Sequence, residues 1–375
     1  MFQQVKDEND KYLPCLYNSC NSCGITMKYH SLIVLVAVCL CFLFLNLNCK
    51  KDNPLTPPDD TPGRRDYTWF IDTIYAGGNI INSIDGASSN DVWATTIPGD
   101  YSQTLYHFNG TKWITDGINR SLDPYSVRVF SSNNVWSVGS SGEIWQYDGK
   151  TWKLNAKAPS PGTIYYGLSD INGTTIDDLY AVGKFSKTGS DFYSLIYHYD
   201  GSMWTRMNLE ENPYLLYYIR YLNKNRYFIL GIRYQSDTRS NDTSKIFLFD
   251  GSSLQEFYTG VANSNGYGDF CPVPNGMIVA EGKRILITDG NQRMDITTIQ
   301  SDMFINGIKA RNEKDIIIAM TDGIAQYNGT DVQYLYHFSG TNTRILGMKL
   351  FNNGVFVIAR DWNINTNYIF RGYLN

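Results

Sequence analysis

One dipeptide recurs at intervals along most of the chain. Asn-Gly or Asp-Gly follows an aromatic-rich run six times, and Arg-Gly forms a degenerate seventh copy. The copies are Asn109-Gly110, Asp148-Gly149, Asp200-Gly201, Asp250-Gly251, Asp289-Gly290, Asn328-Gly329 and Arg371-Gly372. Successive glycines are 39, 52, 50, 39, 39 and 43 residues apart. An Asx-Gly pair between two β-like runs predicts a hairpin with a type I′ turn, in which both central residues have positive φ. We therefore expect tandem copies of one supersecondary unit.

A second landmark precedes each Asx-Gly pair, a turn that leads into an apolar strand. It reads NDVWA (90–94), NNVWSVG (133–139), DDLYAVG (177–183), NRYFILG (225–231), NGMIVAEG (275–282), KDIIIAM (314–320) and NGVFVIA (353–359). Another β-like run lies before each landmark, and none of the intervening segments has a helical period. Four short strands at a period of about 40 to 45 residues are typical of a propeller blade. The sequence predicts an all-β, seven-bladed β-propeller of four-stranded antiparallel blades.

The two ends of the repeat region predict how the ring closes. Trp113, Trp152 and Trp204 each stand three residues after the turn glycine, whereas later repeats have other residues there. The last repeat stops at Asn375, before its fourth strand. The segment YTWFIDT (67–73) resembles a fourth strand and has no three strands before it, so Trp69 would occupy the slot of Trp113. We expect this N-terminal strand to complete the last blade and remove the open sheet edges.

The first 66 residues have the organisation of an export signal and a tether. Leu32–Leu45 is an uncharged apolar run of 14 residues, which suits a signal peptide better than a membrane span of about 20 residues. We interpret 1–26 as a gene-calling extension, 27–48 as a signal peptide that starts at Met27, and 49–66 as a proline-rich flexible tether. The alternative is an uncleaved anchor at 32–47. All cysteines except Cys271 lie within the first 49 residues, so the body contains no internal disulfide.

Two resemblances follow from these residues. A cysteine, Cys49, that closes an export signal and precedes a polar tether resembles a bacterial lipoprotein, in which that cysteine carries the lipid. Residues 67–375 resemble the tandem-repeat propeller lipoproteins of Gram-negative bacteria, which have DVWAVG and YHYDGKTW motifs, and more distantly WD40 and kelch propellers. The resemblance implies a lipid-anchored protein of the cell envelope at the outer membrane, on a side that the sequence leaves open.

The sequence contains little that indicates catalysis. His107 and His198 occupy one repeat slot, and His337 lies in a similar motif, which indicates strand packing. No HExxH, GxSxG or EF-hand pattern occurs, so we predict no catalytic residues, no metal and no cofactor. A net charge of −4 gives no basic footprint for nucleic acid.

Insertions mark one face of the predicted propeller. From the second-strand aromatic slot to the Asx-Gly turn, repeats two and five take 12 and 10 residues, whereas repeats three and four take 20 and 22. This extra length falls on the face opposite the Asx-Gly turns, and binding loops are commonly longer. Aromatic rings beside polar groups suit sugar stacking or protein docking. The candidate ligand-binding residues are Tyr101, Tyr125, Tyr165, Tyr166, Phe192, Tyr193, Tyr214, Tyr234, Arg239, Tyr267 and Trp362.

Three hypotheses for function remain open. The first is a monomeric binding or scaffold module for a glycan or a protein. The second is a glycan hydrolase or lyase with its site at the channel, which would need a solvent-facing pair of carboxylates about 5 to 9 Å apart. The third is an outer-membrane assembly factor, which would expose a large apolar patch. The absence of a recognisable acid/base pair favours the first.

Overall fold

The structure of the protein, a computed structural model, describes residues 61–375, except 77, 98, 99, 121, 159, 161, 235–241, 262–267, 301–304 and 339–341. The predicted signal peptide, Cys49 and most of the predicted tether lie outside the described residues. Within them, 28 strands form seven four-stranded antiparallel sheets, which confirms the predicted fold class. No helix in this described part is long and apolar enough to cross a membrane.

Six blades consist of strands that follow one another in the chain. The first blade is β2 (Ile80–Ser88), β3 (Asp91–Ile97), β4 (Leu105–Phe108) and β5 (Trp113–Ile114). The second is β6 (Pro124–Ser131), β7 (Asn134–Gly139), β8 (Glu143–Tyr147) and β9 (Trp152–Lys157). The third is β10 (Tyr165–Thr175), β11 (Asp178–Ser186), β12 (Phe192–Tyr199) and β13 (Trp204–Arg206). The fourth is β14 (Leu215–Asn223), β15 (Arg226–Arg233), β16 (Thr243–Phe249) and β17 (Leu254–Val261).

The remaining strands include the one that closes the ring. The fifth blade is β18 (Asp269–Val273), β19 (Gly276–Glu281), β20 (Arg284–Thr288) and β21 (Arg293–Thr298). The sixth is β22 (Ile305–Asn312), β23 (Asp315–Met320), β24 (Gly323–Tyr327) and β25 (Val332–His337). The seventh joins β26 (Thr343–Phe351), β27 (Gly354–Asp361) and β28 (Thr366–Leu374) to β1 (Tyr67–Ile74) from the other end of the repeat region. Each inner strand contacts the next, and β26 contacts β2, so the blades form a closed ring.

The core lies between the blades. Seven clusters of buried apolar residues occur in the described chain, and each combines residues of two neighbouring blades. The aromatic slot of the second strands supplies many of them. Trp93, Trp136 and Phe228 are buried there, and Phe356 fills the same slot of the last blade. Each blade has apolar residues on both faces of its sheet, so both faces are buried only when both neighbouring blades are present.

The closing strand takes the predicted register. Trp69 pairs with Gly372, as Trp113 pairs with Phe108 in the first blade, so Trp69 does occupy the Trp113 slot. Arg371 donates two hydrogen bonds to Asp72, and Asp72 also accepts a hydrogen bond from the Trp113 indole of the next blade at 2.9 Å. The prediction that Arg371-Gly372 is a seventh turn is wrong, because both residues lie inside β28 and the chain ends where the turn would begin.

The six Asx-Gly turns are not of type I′. Only their glycines have positive φ, from 88° at Gly110 to 94° at Gly329. In each turn the Asx oxygen accepts the backbone N–H groups two and three residues further on, as Asp148 does from Lys150 and Thr151, both at 3.0 Å. These bonds stabilise a four-residue loop. The chain reverses direction there with one residue of positive φ, the glycine, because the Asx side chain accepts the loop amides. A two-residue loop with positive φ at both positions occurs instead at Lys224-Asn225, between β14 and β15.

The residues just before β1 also contact the ring. The Gly63 amide donates to the Lys314 carbonyl at 3.1 Å, and Arg65 forms an ion pair with Asp331 at 2.8 Å. The Gln326 amide donates to the Arg64 carbonyl at 3.0 Å. Residues 63–66, assigned from the sequence to the tether, therefore lie against the sixth blade.

Candidate functional site

The meander gives the ring two different faces. One carries the Asx-Gly turns and is called the turn face here. The other carries the second-to-third-strand connections and the links between blades, and is called the insertion face. The inserted residues of the third repeat lengthen a hairpin, because β11 and β12 have 9 and 8 residues where β7 and β8 have 6 and 5. Phe192 and Tyr193 therefore lie on a paired strand and not on a loose loop.

A central channel runs along the seven inner strands. Its cavity has a volume of about 680 Å³, which lies in the range of small-ligand sites. Every inner strand contributes to its wall, which includes Asn82, Asp85, Tyr125, Arg128, Asp170, Tyr217, Tyr218, Arg220, Cys271, Lys309, Lys349 and Leu350. The wall is thus polar and charged in the interior of the channel and aromatic near the insertion face.

The carboxylates of the wall join neighbouring blades. The Val129 amide of blade two donates to Asp85 of blade one at 2.8 Å. The Ile219 amide donates to Asp170 at 3.0 Å, and the Ile308 amide donates to Asp269 at 2.8 Å, in each case across the next blade boundary. Burial alone would raise the pKa of Asp85, but the positive charges of Lys349 and Arg128 hold this pKa below its usual value. These three carboxylates are therefore structural links between blades.

Several predicted aromatic residues meet at the insertion-face mouth of the channel. The Tyr125 and Tyr165 hydroxyls are 3.4 Å apart, and the Tyr165 and Phe192 rings pack edge to face at 6.0 Å. The Lys184 Nζ lies 5.9 Å from the Tyr165 ring and 5.8 Å from the Phe192 ring. Burial lowers the pKa of Lys184. Tyrosine, phenylalanine and one ammonium group therefore form one side of the mouth.

A second tyrosine pair belongs to the fourth blade. The exposed Tyr234 bonds through its hydroxyl to the Tyr217 hydroxyl at 2.7 Å, and Tyr217 lines the channel. Sequence reasoning missed both Tyr217 and Lys184. The run LLYYIRYL contains Tyr217, but the alternation alone does not distinguish its channel-facing residues. Nothing local distinguishes Lys184, because its channel position depends on the pairing of β11 with β10.

The other predicted residues are distributed differently. Tyr214 is buried between blades, where its hydroxyl lies 3.2 Å from Thr243 Oγ1, so it is not at the channel mouth as we expected. Tyr166 and Tyr193 are half-buried and pack against the core between blades two and three. Tyr101 and Trp362 are exposed on the insertion face, with the Arg360 guanidinium 5.1 Å from the Trp362 ring. Arg239 and Tyr267 lie outside the described residues.

Two of the histidines have the packing role that their repeat position predicts. His107 stacks on Trp93 and contacts Asp91 at 2.7 Å, and this contact lowers the pKa of Asp91. His198 stacks on Tyr180 and contacts Asp178 at 2.8 Å. His337 differs, because it ends a fourth strand, β25, and stacks on Tyr334. No group of three or more metal-ligating side chains occurs among the described residues.

The channel carboxylates do not form the acid/base pair that a glycosidase needs. Asp85 is shared by Lys349 and Arg128, and Asp170 is paired with Arg220. Their side chains are only 6% and 5% exposed. A general acid needs an open position beside the sugar, and a buried carboxylate that is held by a cationic partner does not have one.

Comparison with known proteins supports the fold. No protein-family model matches the sequence, and no curated protein matches it. YCF48 bound to a D1 peptide has a TM-score of 0.58 at 14% identity, over 84% of this chain and 99% of that chain. A catalytically inactive virginiamycin B lyase from Staphylococcus aureus, with quinupristin, has a TM-score of 0.59 at 12% identity, over 81% and 99%. The β-propeller domain of Cps50 (Swd1) from Myceliophteria thermophila has a TM-score of 0.54 at 10% identity, over 81% and 99%. These matches and the seven four-stranded sheets show that the chain has the fold of a seven-bladed β-propeller.

Proposed function

We propose that this protein is a binding propeller that holds a segment of a partner protein at the insertion-face mouth of its channel. The observation that carries the proposal is the set of aromatic and cationic side chains that the second, third and fourth blades bring to this mouth. Tyr125, Tyr165, Lys184 and Phe192 line one side, and the Tyr217–Tyr234 pair lies in the next blade. Tyrosine and phenylalanine are enriched in protein-binding surfaces.

The dimensions favour a segment over a folded domain. A cavity of about 680 Å³ admits a chain end or a loop tip, while the surrounding insertions supply contact area outside it. A similar fold has been solved with a peptide, the D1 peptide on YCF48. That relative supports the type of ligand as an analogy at the level of fold.

A glycan is the second candidate ligand. Tyr101 and Trp362 are 36% and 40% exposed on the insertion face, and exposed aromatic faces stack on sugar rings. These residues lie on the first and seventh blades, away from the Lys184 side of the mouth.

One selection experiment separates these candidates. The full chain is screened against a random peptide library and a glycan array, and each binder is tested against alanine variants. We expect peptide binders that are lost in Tyr217→Ala and Tyr234→Ala but retained in Lys112→Ala on the turn face. Loss of binding in Trp362→Ala and Tyr101→Ala alone, with glycans as the ligands, would favour the second candidate. Binders that depend on turn-face residues would contradict both.

We also propose that the propeller is a lipid-anchored protein of the outer membrane. The export signal, Cys49 and the proline-rich tether support this location. Metabolic labelling with a lipid probe should mark the wild-type protein and not Cys49→Ser. Equal labelling of the two proteins would contradict the anchor without affecting the binding proposal.

A further inference from the structure

We propose that the channel selects an acidic ligand, and that it receives a carboxylate of the bound segment on its cationic wall. This inference rests on the proposed function and specifies the chemistry of its ligand. Its basis is the charge that each inner strand contributes to the channel and the side of each ion pair that faces the cavity.

The inner strands alternate in charge around the ring. Asp85 of blade one is followed by Arg128 of blade two, Asp170 of blade three by Arg220 of blade four, and Asp269 of blade five by Lys309 of blade six. Each acidic residue forms an ion pair with the next blade's cation. Blade seven contributes Lys349, which shares Asp85 with Arg128. Because seven is odd, strict alternation cannot close, and two cationic blades are adjacent.

In the Asp85 and Asp170 pairs the exposed side is the positive one, whereas Lys309 and Asp269 are about equally exposed, at 24% and 20%. The Asp85 and Asp170 side chains are 6% and 5% exposed, because their oxygens accept backbone amides within the wall. Arg128, Arg220, Lys309 and Lys349 are 23% to 30% exposed along the same cavity. A ligand beside blades one to four and blade seven therefore meets ammonium and guanidinium groups before it meets carboxylates.

One lysine of the wall, Lys309, is also weakly satisfied. Lys309 Nζ lies 3.6 Å from Asp269, beyond normal hydrogen-bond distance, and donates to the Ile308 carbonyl at 2.7 Å. An ammonium group has three donors, so Lys309 retains capacity for a further acceptor. Gly307 and Gly347, each two residues before a wall lysine on the same strand, add no side chain between that lysine and the insertion face.

Lys184 adds a fifth cation at the mouth. It pairs in the ladder with Gly167, whose missing side chain leaves the space beside Tyr125 and Tyr165 open. No carboxylate lies within ion-pair distance of Lys184 in the described part of the chain. Five cations and three carboxylates thus leave an excess of two positive charges around the channel. An anion restores the balance where the dielectric constant is low and the attraction is strong.

The chemistry that fits is a carboxylate at the end or side of an extended segment. An ammonium group binds a carboxylate through short, charge-assisted hydrogen bonds, and the tyrosine rings at the mouth pack on the segment behind it. The carboxylate comes from either a C-terminus or an Asp or Glu side chain. The two sources are distinguished by amidation of the C-terminus.

Fluorescence anisotropy on the full chain tests the inference with three labelled hexapeptides. The probes are Gly-Ser-Tyr-Glu-Asp-Glu with a free C-terminus, the same peptide as its C-terminal amide, and the neutral Gly-Ser-Tyr-Gln-Asn-Gln amide. We expect both acidic peptides to bind at least about tenfold more tightly than the neutral one, because hydrogen bonds to charged groups are stronger than those between neutral groups. Their affinity should fall as salt rises from about 50 to about 500 mM. A further loss on amidation identifies the C-terminus as the preferred source.

Two variants locate the site and one serves as the matched control. Lys184→Met removes a charge without leaving a carboxylate unpaired, and Lys349→Met leaves Asp85 with Arg128. Each should weaken acidic peptides about tenfold, and Lys184→Met should leave the melting temperature close to that of wild type, whereas Lys150→Met on the turn face should change nothing. Equal binding of acidic and neutral peptides, no binding of any probe, or wild-type affinity in both lysine variants overturns the inference. The proposed function would still be decided separately, by whether library peptides bind the wild-type protein and lose binding in Tyr217→Ala and Tyr234→Ala.

Discussion

The turn face and the insertion face come from the same repeat and differ in where their polar groups bond. On the turn face, each Asx side chain bonds to the backbone of its own loop, and the six loops are alike. On the insertion face, hydroxyls contact side chains of other strands, as in Tyr125–Tyr165 and Tyr217–Tyr234. The comparison indicates that the repeated groups maintain the fold and the unrepeated ones form the candidate site.

Both faces depend on ring closure, so the largest effect should come from the closing strand. Deleting residues 67–73 from the full chain removes the partner of β28 and breaks the Asp72 bridge between Arg371 and Trp113. The seventh blade is left with an unpaired edge, which is prone to aggregation. We expect aggregation or a melting temperature that is lower than that of wild type by about 10 °C or more.

The matched control for this deletion is Phe70→Ser with Ile71→Ser. Both side chains are about half exposed on the outer strand, so the backbone pairing remains. This variant should melt near wild type in differential scanning fluorimetry. A deletion mutant that melts like the wild type would show that closure is not needed, and the two faces would then be independent of the ring.

A glycine on each face gives the next effect in size. Gly149 of a turn-face loop and Gly189 of the insertion face have φ of 90° and 94°. Alanine at either position should cost about 1 to 2 kcal/mol of unfolding free energy through backbone strain. A Cβ at Gly149 would also lie 2.7 Å from the Asn133 Cβ, whereas nothing lies within 4 Å at Gly189. In chemical denaturation, the unfolding free energy of Gly149→Ala should therefore be lower than that of Gly189→Ala. The opposite order would mean that the turn face is the more tolerant of the two.

The smallest effect concerns acid. Hydrogen bonds from the Ser252 hydroxyl and from loop amides hold the pKa of Asp250 at about 2, and loop amides and Ser202 do the same for Asp200. Such lowered values mean that the carboxylates stabilise the fold above the unfolded-state pKa of about 3.9, and that this contribution is lost as pH falls towards 2. Replacing Asp148, Asp200, Asp250 and Asp289 with asparagine should reduce the drop in melting temperature between pH 7 and pH 3.

The chain contains its own control for the acid experiment. Asn109 and Asn328 accept the same loop amides without a titratable group. Asn328→Asp should increase the sensitivity to acid slightly, whereas the fourfold asparagine variant decreases it. Identical pH profiles for both variants and wild type would show that the turn-face loops are not linked to proton binding.

The fold could be predicted because its determinants are local and repeated. Each Asx-Gly loop, each aromatic slot and Trp69 could be recognised within a few residues, and their spacing indicated the number of blades. The turn type could not be predicted in the same way. The Asx side chain supplies hydrogen bonds that substitute for a second positive φ, so the same dipeptide serves a four-residue loop.

The candidate site was predicted in part. The insertion face, Tyr125, Tyr165, Phe192 and Tyr234 were expected from loop length and composition, and they lie together or beside the channel. Tyr214 was expected there and is buried, because a bulge in β14 lies between it and the channel-facing Tyr218. A single extra residue exchanges the two faces of a strand, and the alternation in the sequence does not reveal it.

The sequence by itself determined the repeat, the hairpins, the apolar strand faces and the strand that closes the ring, since these follow from residues close together in the chain or from the match between its two ends. Only the tertiary structure decided which charges meet in the channel. Asp85, Arg128 and Lys349 come from blades one, two and seven, and Lys349 lies 264 residues from its partner Asp85. Their ion pairs depend on ring geometry and on an odd number of blades, because electrostatic energy depends on distance in space and not on separation along the chain.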